Sequence, residues 1–179
     1  MLIQPFETER LLLRPLEKTD AGRMFLLDSN PDVMKYVGQP VVTNVEESEK
    51  IIGMIQAQYE KNGIGRFAVI EKESGLLIGW SGLKFLTEEI NGFKNVYELG
   101  YRFLPEFWGK GYATESGKAF VDIGFSELNL TMIYACAHSE NDASNHILRK
   151  LGFRKTGDFI EPDGLCFWYE NDGSRKLKP

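Results

Sequence analysis

The feature that most constrains this chain is a glycine-bearing loop between a strand-like segment and a helix-like segment. The loop reads Gly109-Lys110-Gly111-Tyr112-Ala113-Thr114, after residues 96–104 and before residues 114–128. Small residues let a backbone approach a ligand closely. The first amides of a helix have no intrahelical partner and carry partial positive charge. The segment therefore predicts an anion site, suited to a phosphorylated cofactor.

Segments of strand and helix character alternate along the rest of the chain. By apolar periodicity and turn residues, strands are predicted over residues 11–16, 66–70, 76–85, 96–104, 132–138, 153–160 and 165–170. Helices are predicted over residues 20–27, 33–36, 43–62, 114–128 and 143–151. Asp20 and the capping-box spacing of residues 43–46 mark two helix starts, and Gly152 marks a helix end. The pattern is α/β of mixed type.

Composition narrows the class of protein. The 179 residues fit one domain, for which we expect residues 1–170, followed by a polar tail over residues 171–179. A hydrophobic content of 42% argues against disorder, and no apolar run is long enough for a bilayer. The net charge of −5 disfavours a general nucleic-acid binder. With no evident signal peptide, and with Cys136 and Cys166 building no disulfide framework, we expect a cytoplasmic protein, although a single bridge stays open.

Two common phosphate-binding motifs do not fit the loop. A nucleoside-triphosphate loop needs a glycine four residues before Gly-Lys-Ser/Thr, and Lys110 is followed by Gly111. A dinucleotide fingerprint needs glycine three residues after Gly111, where Thr114 stands. Both motifs also follow a first strand near the start of a domain, whereas this loop lies past the midpoint of the chain.

Three segments, in this order and spacing, resemble the GNAT superfamily of acyl-CoA-dependent N-acetyltransferases. The likeness is closer to the branch that includes ribosomal-protein N-terminal acetyltransferases. One departure is Trp108, since the superfamily often has Gln or Arg three residues before the central glycine. The segments are Glu7-Thr8-Glu9-Arg10-Leu11-Leu12-Leu13-Arg14-Pro15-Leu16, residues 97–115 with Trp108-Gly109-Lys110-Gly111-Tyr112-Ala113-Thr114-Glu115, and residues 141–153 with Asn141-Asp142-Ala143-Ser144-Asn145 and Lys150-Leu151-Gly152-Phe153.

The resemblance implies a mainly antiparallel central sheet flanked by helices, the GNAT acyl-CoA acyltransferase fold, with acetyl-CoA as donor and no metal. Backbone groups of Phe103 and Leu104 would face the pantetheine arm, and Asn141 would contact its amides. Asn141 could equally cap a helix, and both roles can hold together. The residues expected to hold the pyrophosphate are Gly109, Lys110, Gly111, Tyr112, Ala113 and Thr114.

Two side chains are candidates for the chemistry. Ser144 matches the position that protonates the CoA sulfur in the ribosomal branch, and an ordinary serine in the first turn of a helix is its alternative reading. Leu148 stands where many GNAT enzymes have a tyrosine for that role. Glu98 is the candidate base, directly or through water, and a structural carboxylate is its alternative reading. Cys136 and His138 share a strand face, yet no orienting third residue is near in sequence, so direct transfer in a ternary complex is predicted.

The acceptor is predicted to be a primary amine, either a peptide or protein N-terminus or a small molecule. A non-catalytic acyl-CoA-binding regulatory module on the same fold is the alternative. We expect no nucleic-acid or membrane partner, and a homodimer stays open. Side chains that could line a substrate pocket, or equally the core or a solvated turn, are Trp80, Phe93, Trp108, Phe159, Phe167, Trp168, Asp158, Glu161 and Asp163.

Overall fold

Eight strands form one sheet in the computed structural model of the chain, which describes residues 4–174. Their spatial order is β1-β2-β3-β4-β5-β6-β8-β7, and every neighbouring pair is antiparallel except β5 with β6. The mixed α/β prediction with a mainly antiparallel sheet is confirmed. The strands are β1 Phe6–Glu7, β2 Leu11–Pro15, β3 Arg66–Glu71, β4 Leu77–Leu86, β5 Val96–Phe103, β6 Ile133–His138, β7 Arg154–Glu161 and β8 Gly164–Asn171.

Five α-helices cover the sheet: α1 Ala21–Asp28, α2 Pro31–Met34, α3 Val45–Asn62, α4 Tyr112–Ser126 and α5 Asp142–Lys150. The helix α4 packs on β4 and β5 from one side, because glycines at 117 and 124 let its backbone come close to the sheet. The helix α1 lies on the other side, where Asp28 pairs with Arg102 of β5. None of the helices within residues 4–174 is both long and apolar enough to cross a bilayer.

The capping signal at the start of α3 acts one residue away from its predicted position. Asn44 caps α3 by accepting from the Glu47 N–H at 3.0 Å, and Gly63 ends the helix with a φ of 75°. Asp20 precedes α1 as predicted, yet its carboxylate makes no cap hydrogen bond. It accepts two 2.7 Å bonds from Arg14 and one from the Glu17 N–H, because a guanidinium is the stronger partner.

The strands β5 and β6 meet at only one register position in the described chain, where Glu98 lies opposite Tyr134. Past this point the two parallel strands run on to Phe103 and His138 without pairing, so the sheet opens toward their carboxyl ends. The helices α4 and α5 follow these two strands, and their N-termini stand at the opening. The parting of β5 and β6 therefore positions the site.

The last strand reaches one residue into the segment expected as a tail. Asn171 is buried, and its amide donates to the Leu151 carbonyl at 3.0 Å, which ties the end of β8 to the end of α5. Residues 172–174 follow with exposed side chains, and positions 175–179 of the expected tail lie outside the described residues, as do positions 1–3.

The close packing of α4 gives a stability prediction. A Cβ at Gly124 would lie 2.7 Å from Ile133 Cδ1 and 3.1 Å from Leu83 Cδ1. We expect Gly124→Ala to lower the free energy of unfolding by about 1–3 kcal/mol through overpacking, although alanine is the better helix former. Urea denaturation measures the change.

The matched control is Gly53→Ala in α3, where a Cβ would meet nothing within 4 Å. Helix propensity alone should then raise the free energy of unfolding by about 0.5–1 kcal/mol. Equal effects of the same sign at both glycines would contradict the packing argument.

Candidate active site

A cavity of about 690 Å³ lies at the opening between β5 and β6. Three walls surround it: the segment around α2, the end of β5 with the glycine loop, and the start of α5. Its lining includes Asp32, Val33, Lys35, Tyr36, Tyr101, Arg102, Phe103, Phe107, Trp108, Gly109, Gly111, Tyr112, Ala113, Thr114, Glu140, Asn141, Asp142, Ala143, Ser144, His146 and Ile147.

The glycine loop has the geometry of an anion site at a helix start. Gly109 and Gly111 have φ values of 73° and 86°, in the left-handed region that favours glycine. Gly111 is the N-cap of α4, and its carbonyl accepts from the Glu115 N–H at 3.0 Å. The preceding amides of the first turn have no helical partner, so the loop and the helix dipole together favour a phosphate.

Arg10 braces this loop from behind, a role that sequence reasoning did not assign. Its Nη1 donates to the Lys110 carbonyl at 2.9 Å, and its Nε donates to Glu115 Oε2 at 2.7 Å. The guanidinium carbon also lies 4.5 Å from the centre of the Tyr112 ring. Thr8 adds a hydroxyl bond to the same Glu115 carboxylate at 2.6 Å. The N-terminal segment therefore fixes both ends of the turn from Lys110 to Glu115.

The predicted contacts of Phe103, Leu104 and Lys110 are only partly in place. The Leu104 N–H donates to the Ile78 carbonyl at 2.9 Å, so it is turned toward β4 and away from the cavity. Phe103 lines the cavity, but its carbonyl accepts from the Trp108 indole at 2.7 Å. Lys110 is exposed, with its Nζ 4.9 Å from the centre of the Phe107 ring. By the alternation of an antiparallel pair, the β5 backbone groups directed to the opening belong to Tyr101 and Phe103.

Asn141 and Ser144 stand together at the start of α5. The Asn141 side chain accepts from the Ser144 N–H at 3.0 Å, which makes it the N-cap of the helix. Both residues also line the cavity, opposite the glycine loop. The capping interaction fixes the first turn and so directs the Ser144 hydroxyl toward the opening of the sheet.

Tyr101 brings a second hydroxyl to Ser144. The two side-chain oxygens lie 3.1 Å apart, and the Tyr101 hydroxyl also donates to the Ser144 carbonyl at 3.3 Å. Burial raises the pKa of Tyr101 far above its ordinary value. The hydrogen bond with Ser144 lowers this pKa, but by less. The tyrosine therefore keeps its proton across the physiological range. Strand alternation in the sequence places Tyr101 on the face opposite Glu98 but gives it no role. The position of Tyr101 near the end of β5, next to the glycine loop, was the signal that could have indicated one.

Glu98 lies where β5 and β6 part. The Cys136 thiol donates to Glu98 Oε1 at 3.0 Å, across the two parallel strands. Burial, and then the Glu98 charge, raise the pKa of Cys136 well above its usual range, so the thiol stays protonated at neutral pH. Glu98 is thus paired with the neighbouring strand, as its structural reading predicts. Its side chain is half-buried and is not among the residues that line the cavity.

His138 does not activate Cys136. Its Nδ1 accepts from the Glu140 N–H at 3.2 Å, so the ring proton sits on Nε2 and is donated to the Asp163 carbonyl at 3.1 Å. Its ring also stacks on Tyr36, with centroids 5.0 Å apart. Both imidazole nitrogens are occupied by backbone groups, which leaves His138 a structural role.

The aromatic residues divide between a cluster and the site. Phe93 stacks on Trp168 at 5.0 Å, and Tyr134 and Phe159 pack on the same indole. These rings fill the face of β6–β8 and do not line the cavity, whereas Trp108 does. Across residues 4–174, no three His, Cys, Asp or Glu side chains come together as metal ligands.

The Arg10 brace gives a binding prediction. We expect Arg10→Met to weaken coenzyme A binding by about tenfold, because losing charge-assisted hydrogen bonds lets the loop amides reorient. Binding of pantetheine, which lacks the pyrophosphate, should change little. Isothermal titration with both ligands measures the difference.

Lys118→Met is the matched control, since Lys118 lies on α4 but pairs only with exposed Asp122 on its outer face. It should leave both affinities unchanged. If Arg10→Met weakened pantetheine and coenzyme A equally, the brace would have no specific effect on the phosphate loop.

Comparison with known proteins agrees with this geometry. The acetyltransferase (GNAT) domain model matches residues 10–154. An uncharacterized N-acetyltransferase, YoaA of Bacillus subtilis, is 39% identical over 155 residues, which cover 84% of this chain and 83% of that protein. Spermidine N(1)-acetyltransferase of Escherichia coli is 37% identical over 160 residues, covering 89% and 81%.

A solved structure extends the comparison to a bound ligand. Spermidine N-acetyltransferase of Vibrio cholerae, in complex with CoA and spermine, superposes with a TM-score of 0.75 at 26% identity, covering 92% of this chain and 96% of that one. The family match spans most of the sequence. The acetyl donor of this family, acetyl-CoA, carries a diphosphate, as the anion-binding geometry of the glycine loop requires. This chain belongs to the GNAT family of acetyltransferases, enzymes that move an acetyl group from acetyl-CoA to an amine.

Proposed function

We propose that this N-acetyltransferase transfers the acetyl group directly, within a ternary complex of enzyme, acetyl-CoA and a primary amine. The observation that carries the proposal is the facing arrangement of two helix starts across the parted strands. The α4 start presents loop amides to a diphosphate, and the α5 start presents the Ser144 hydroxyl about where a thioester would follow. Residues 1–170 would form the single domain that performs this reaction.

Acetyl-CoA would lie along the cavity with its diphosphate on residues 109–114. Its pantetheine arm would take the place of a pairing strand beside β5, using the backbone groups of Tyr101 and Phe103 that β6 leaves free. The Asn141 side-chain oxygen caps α5, so Asn141 would contact the amides of the arm through its side-chain NH₂ group. This placement brings the thioester to Tyr101 and Ser144.

The chemistry needs a route for one proton. The neutral amine R–NH₂ attacks the thioester carbonyl, the C–S bond breaks, and R–NH–CO–CH₃ and HS–CoA are formed. The proton lost by nitrogen must reach the departing sulfur. Ser144 and Tyr101, 3.1 Å apart, can pass it by donating one hydroxyl proton and accepting another. Since the pKa of Tyr101 is raised, its hydroxyl keeps its proton until the attack.

Glu98 would accept a proton from the acceptor amine on the other face of the sheet. As a half-buried carboxylate at the parting of the strands, it can accept a proton from an ammonium directly or through water. Its bond to the Cys136 thiol holds one oxygen, which leaves the other oxygen for this role. The two free thiols, Cys136 and Cys166, fit a reducing compartment such as the cytoplasm.

The alternative function, a non-catalytic acyl-CoA-binding module, predicts ligand binding without turnover. Thiol release from acetyl-CoA in the presence of a panel of primary amines, followed by mass spectrometry of the acceptor, separates the two. Binding without thiol release for any amine would support the module. An absence of acetyl-CoA binding by folded protein would contradict both.

The hydroxyl pair gives a kinetic prediction. We expect Ser144→Ala and Tyr101→Phe each to lower kcat by about 10²-fold, with the KM for acetyl-CoA nearly unchanged. The double variant should be little worse than either single one, because the two hydroxyls act as one proton path. Steady-state kinetics from pH 6 to 10 measures this.

The same pH series tests the assignment of the tyrosine. Since the pKa of Tyr101 is raised, the hydroxyl stays protonated and should cause no loss of rate at alkaline pH up to about 10. Full activity of Ser144→Ala and of Tyr101→Phe across the series would remove the pair from the mechanism.

Direct transfer gives a second kinetic prediction. A thiol whose pKa is raised is a poor nucleophile, so Cys136→Ala should keep a kcat within about threefold of the wild type. Incubation with acetyl-CoA alone should add no acetyl group to the enzyme, as read by intact-protein mass spectrometry. A stable acetyl adduct on Cys136 would show a covalent intermediate.

A further inference from the structure

An arginine-flanked tryptophan lies on the face of β5 opposite Tyr101. The Trp80 ring covers Gly100, where a Cβ would come within 3.2 Å of the indole. The guanidinium carbons of Arg66 and Arg102 lie 5.5 Å and 5.3 Å from the centre of the ring. Because cations stack favourably on an indole, the three side chains form a fixed unit, here called the arginine platform.

The two platform arginines differ in their partners. Arg102 forms an ion pair with Asp28, and both side chains are largely buried. Among residues 4–174, no ion pair includes Arg66, and its Nε is buried with no hydrogen-bond partner, although the residue as a whole is only partly buried. A buried donor that lacks an acceptor is unfavourable, so Arg66 is the part of the platform prepared to bind an anion.

The surroundings of Arg66 agree with this reading. Burial, and then the like charge of Arg102, lower the pKa of Arg66. The charges of Asp28 and Glu98 raise it, as does Tyr59, but less strongly. The guanidinium therefore stays charged and under-compensated, which is the state that an incoming anion relieves.

The platform adjoins the reacting centre. Arg102 belongs both to the platform and to the lining of the cavity. Glu98 lies on the same face of β5 as Arg102, since the two residues are four apart on one strand, and its charge acts on Arg66. Arg66 and Glu98 do not line the cavity themselves, but Arg66 shares the Trp80 ring with Arg102, which does. An acceptor that enters past Arg102 with its amine toward Glu98 would therefore bring a neighbouring group to the platform.

We propose that the acceptor carries an anionic group, a carboxylate, close to its amine, and that Arg66 binds this group. The inference rests on the proposed function, because it names the class of amine that the same site would acetylate. The acetyl transfer stays R–NH₂ plus thioester giving amide plus thiol, with R now an amino carboxylate. Two arginines beside the amine site would repel a polycation, unlike the spermine found with the Vibrio cholerae structure.

The experiment compares matched acceptors. A series of ω-amino carboxylates of increasing length is tested, each beside its own primary amide. The amide keeps the amine and removes the negative charge of the carboxylate. An aminoalkylphosphonate, an aminoalkanesulfonate and spermidine complete the panel, and distinguish a carboxylate site from a general anion site. We expect kcat/KM to be at least about tenfold higher for the best carboxylate than for its amide.

Variants assign that preference to Arg66. Arg66→Met should remove the advantage of the carboxylate by raising the KM for the acid toward that for its amide, while Arg66→Lys should restore part of the advantage. Arg154→Met is the matched control. Arg154 lies on the edge strand β7, away from the cavity, and pairs with Asp172. It should keep the full preference.

A measurement without turnover covers the case of poorly folded variants. A carboxylic acid that lacks the amine should raise the melting temperature of the wild-type coenzyme A complex, and its amide should not. Equal rates for carboxylates and amides, a preference for spermidine, or no melting shift with any acid would each overturn the inference. Acetyl transfer to other amines in those cases would leave the proposed function standing.

Discussion

The rest of the site depends on the failure of two parallel strands to stay together. Once β5 and β6 part after Glu98 and Tyr134, the backbone groups of Tyr101 and Phe103 lose a partner strand. Unpaired backbone groups near a core are unfavourable, so the opening is suited to a ligand with amides of its own. The pantetheine arm of coenzyme A has such amides. A defect in the sheet thus becomes the place where the donor can bind.

In the proposed complex, the parting would divide the two substrates between the faces of the sheet. The odd-numbered residues of β5 face α4 and α5, where Tyr101 contacts Ser144. The even-numbered residues face α1, where Arg102 pairs with Asp28 and Glu98 contacts Cys136. A thioester held from the first face and an amine presented from the second would meet at the opening itself. Such an arrangement needs positioning more than it needs a reactive side chain.

Local signals were enough to predict most of this fold, and interactions distant in sequence account for what they missed. Periodicity and turn residues predict the strands and helices, because each element carries its own pattern. The glycine loop was found because small residues stand directly between a strand pattern and a helix pattern, and the structure adds that Gly109 and Gly111 have left-handed backbone. By contrast, Arg10 reaches the loop across 100 residues of sequence, and Tyr101 meets Ser144 across 43. No local pattern reports such a contact, and Asp20 shows how a distant arginine overrides a local cap.

Loss of water acts on three groups of the site with different consequences. It raises the pKa of Tyr101 and of Cys136, so both stay neutral, which agrees with the proposed hydroxyl relay and disfavours a thiolate nucleophile. It lowers the pKa of Arg66, but a guanidinium cannot give up its proton near neutral pH, so the charge persists without a partner. The first effect leaves the donor side uncharged before the thioester arrives. The second leaves Arg66 charged and outside every ion pair of residues 4–174, and in the proposed complex this asymmetry would orient an amino carboxylate with its nitrogen toward the thioester.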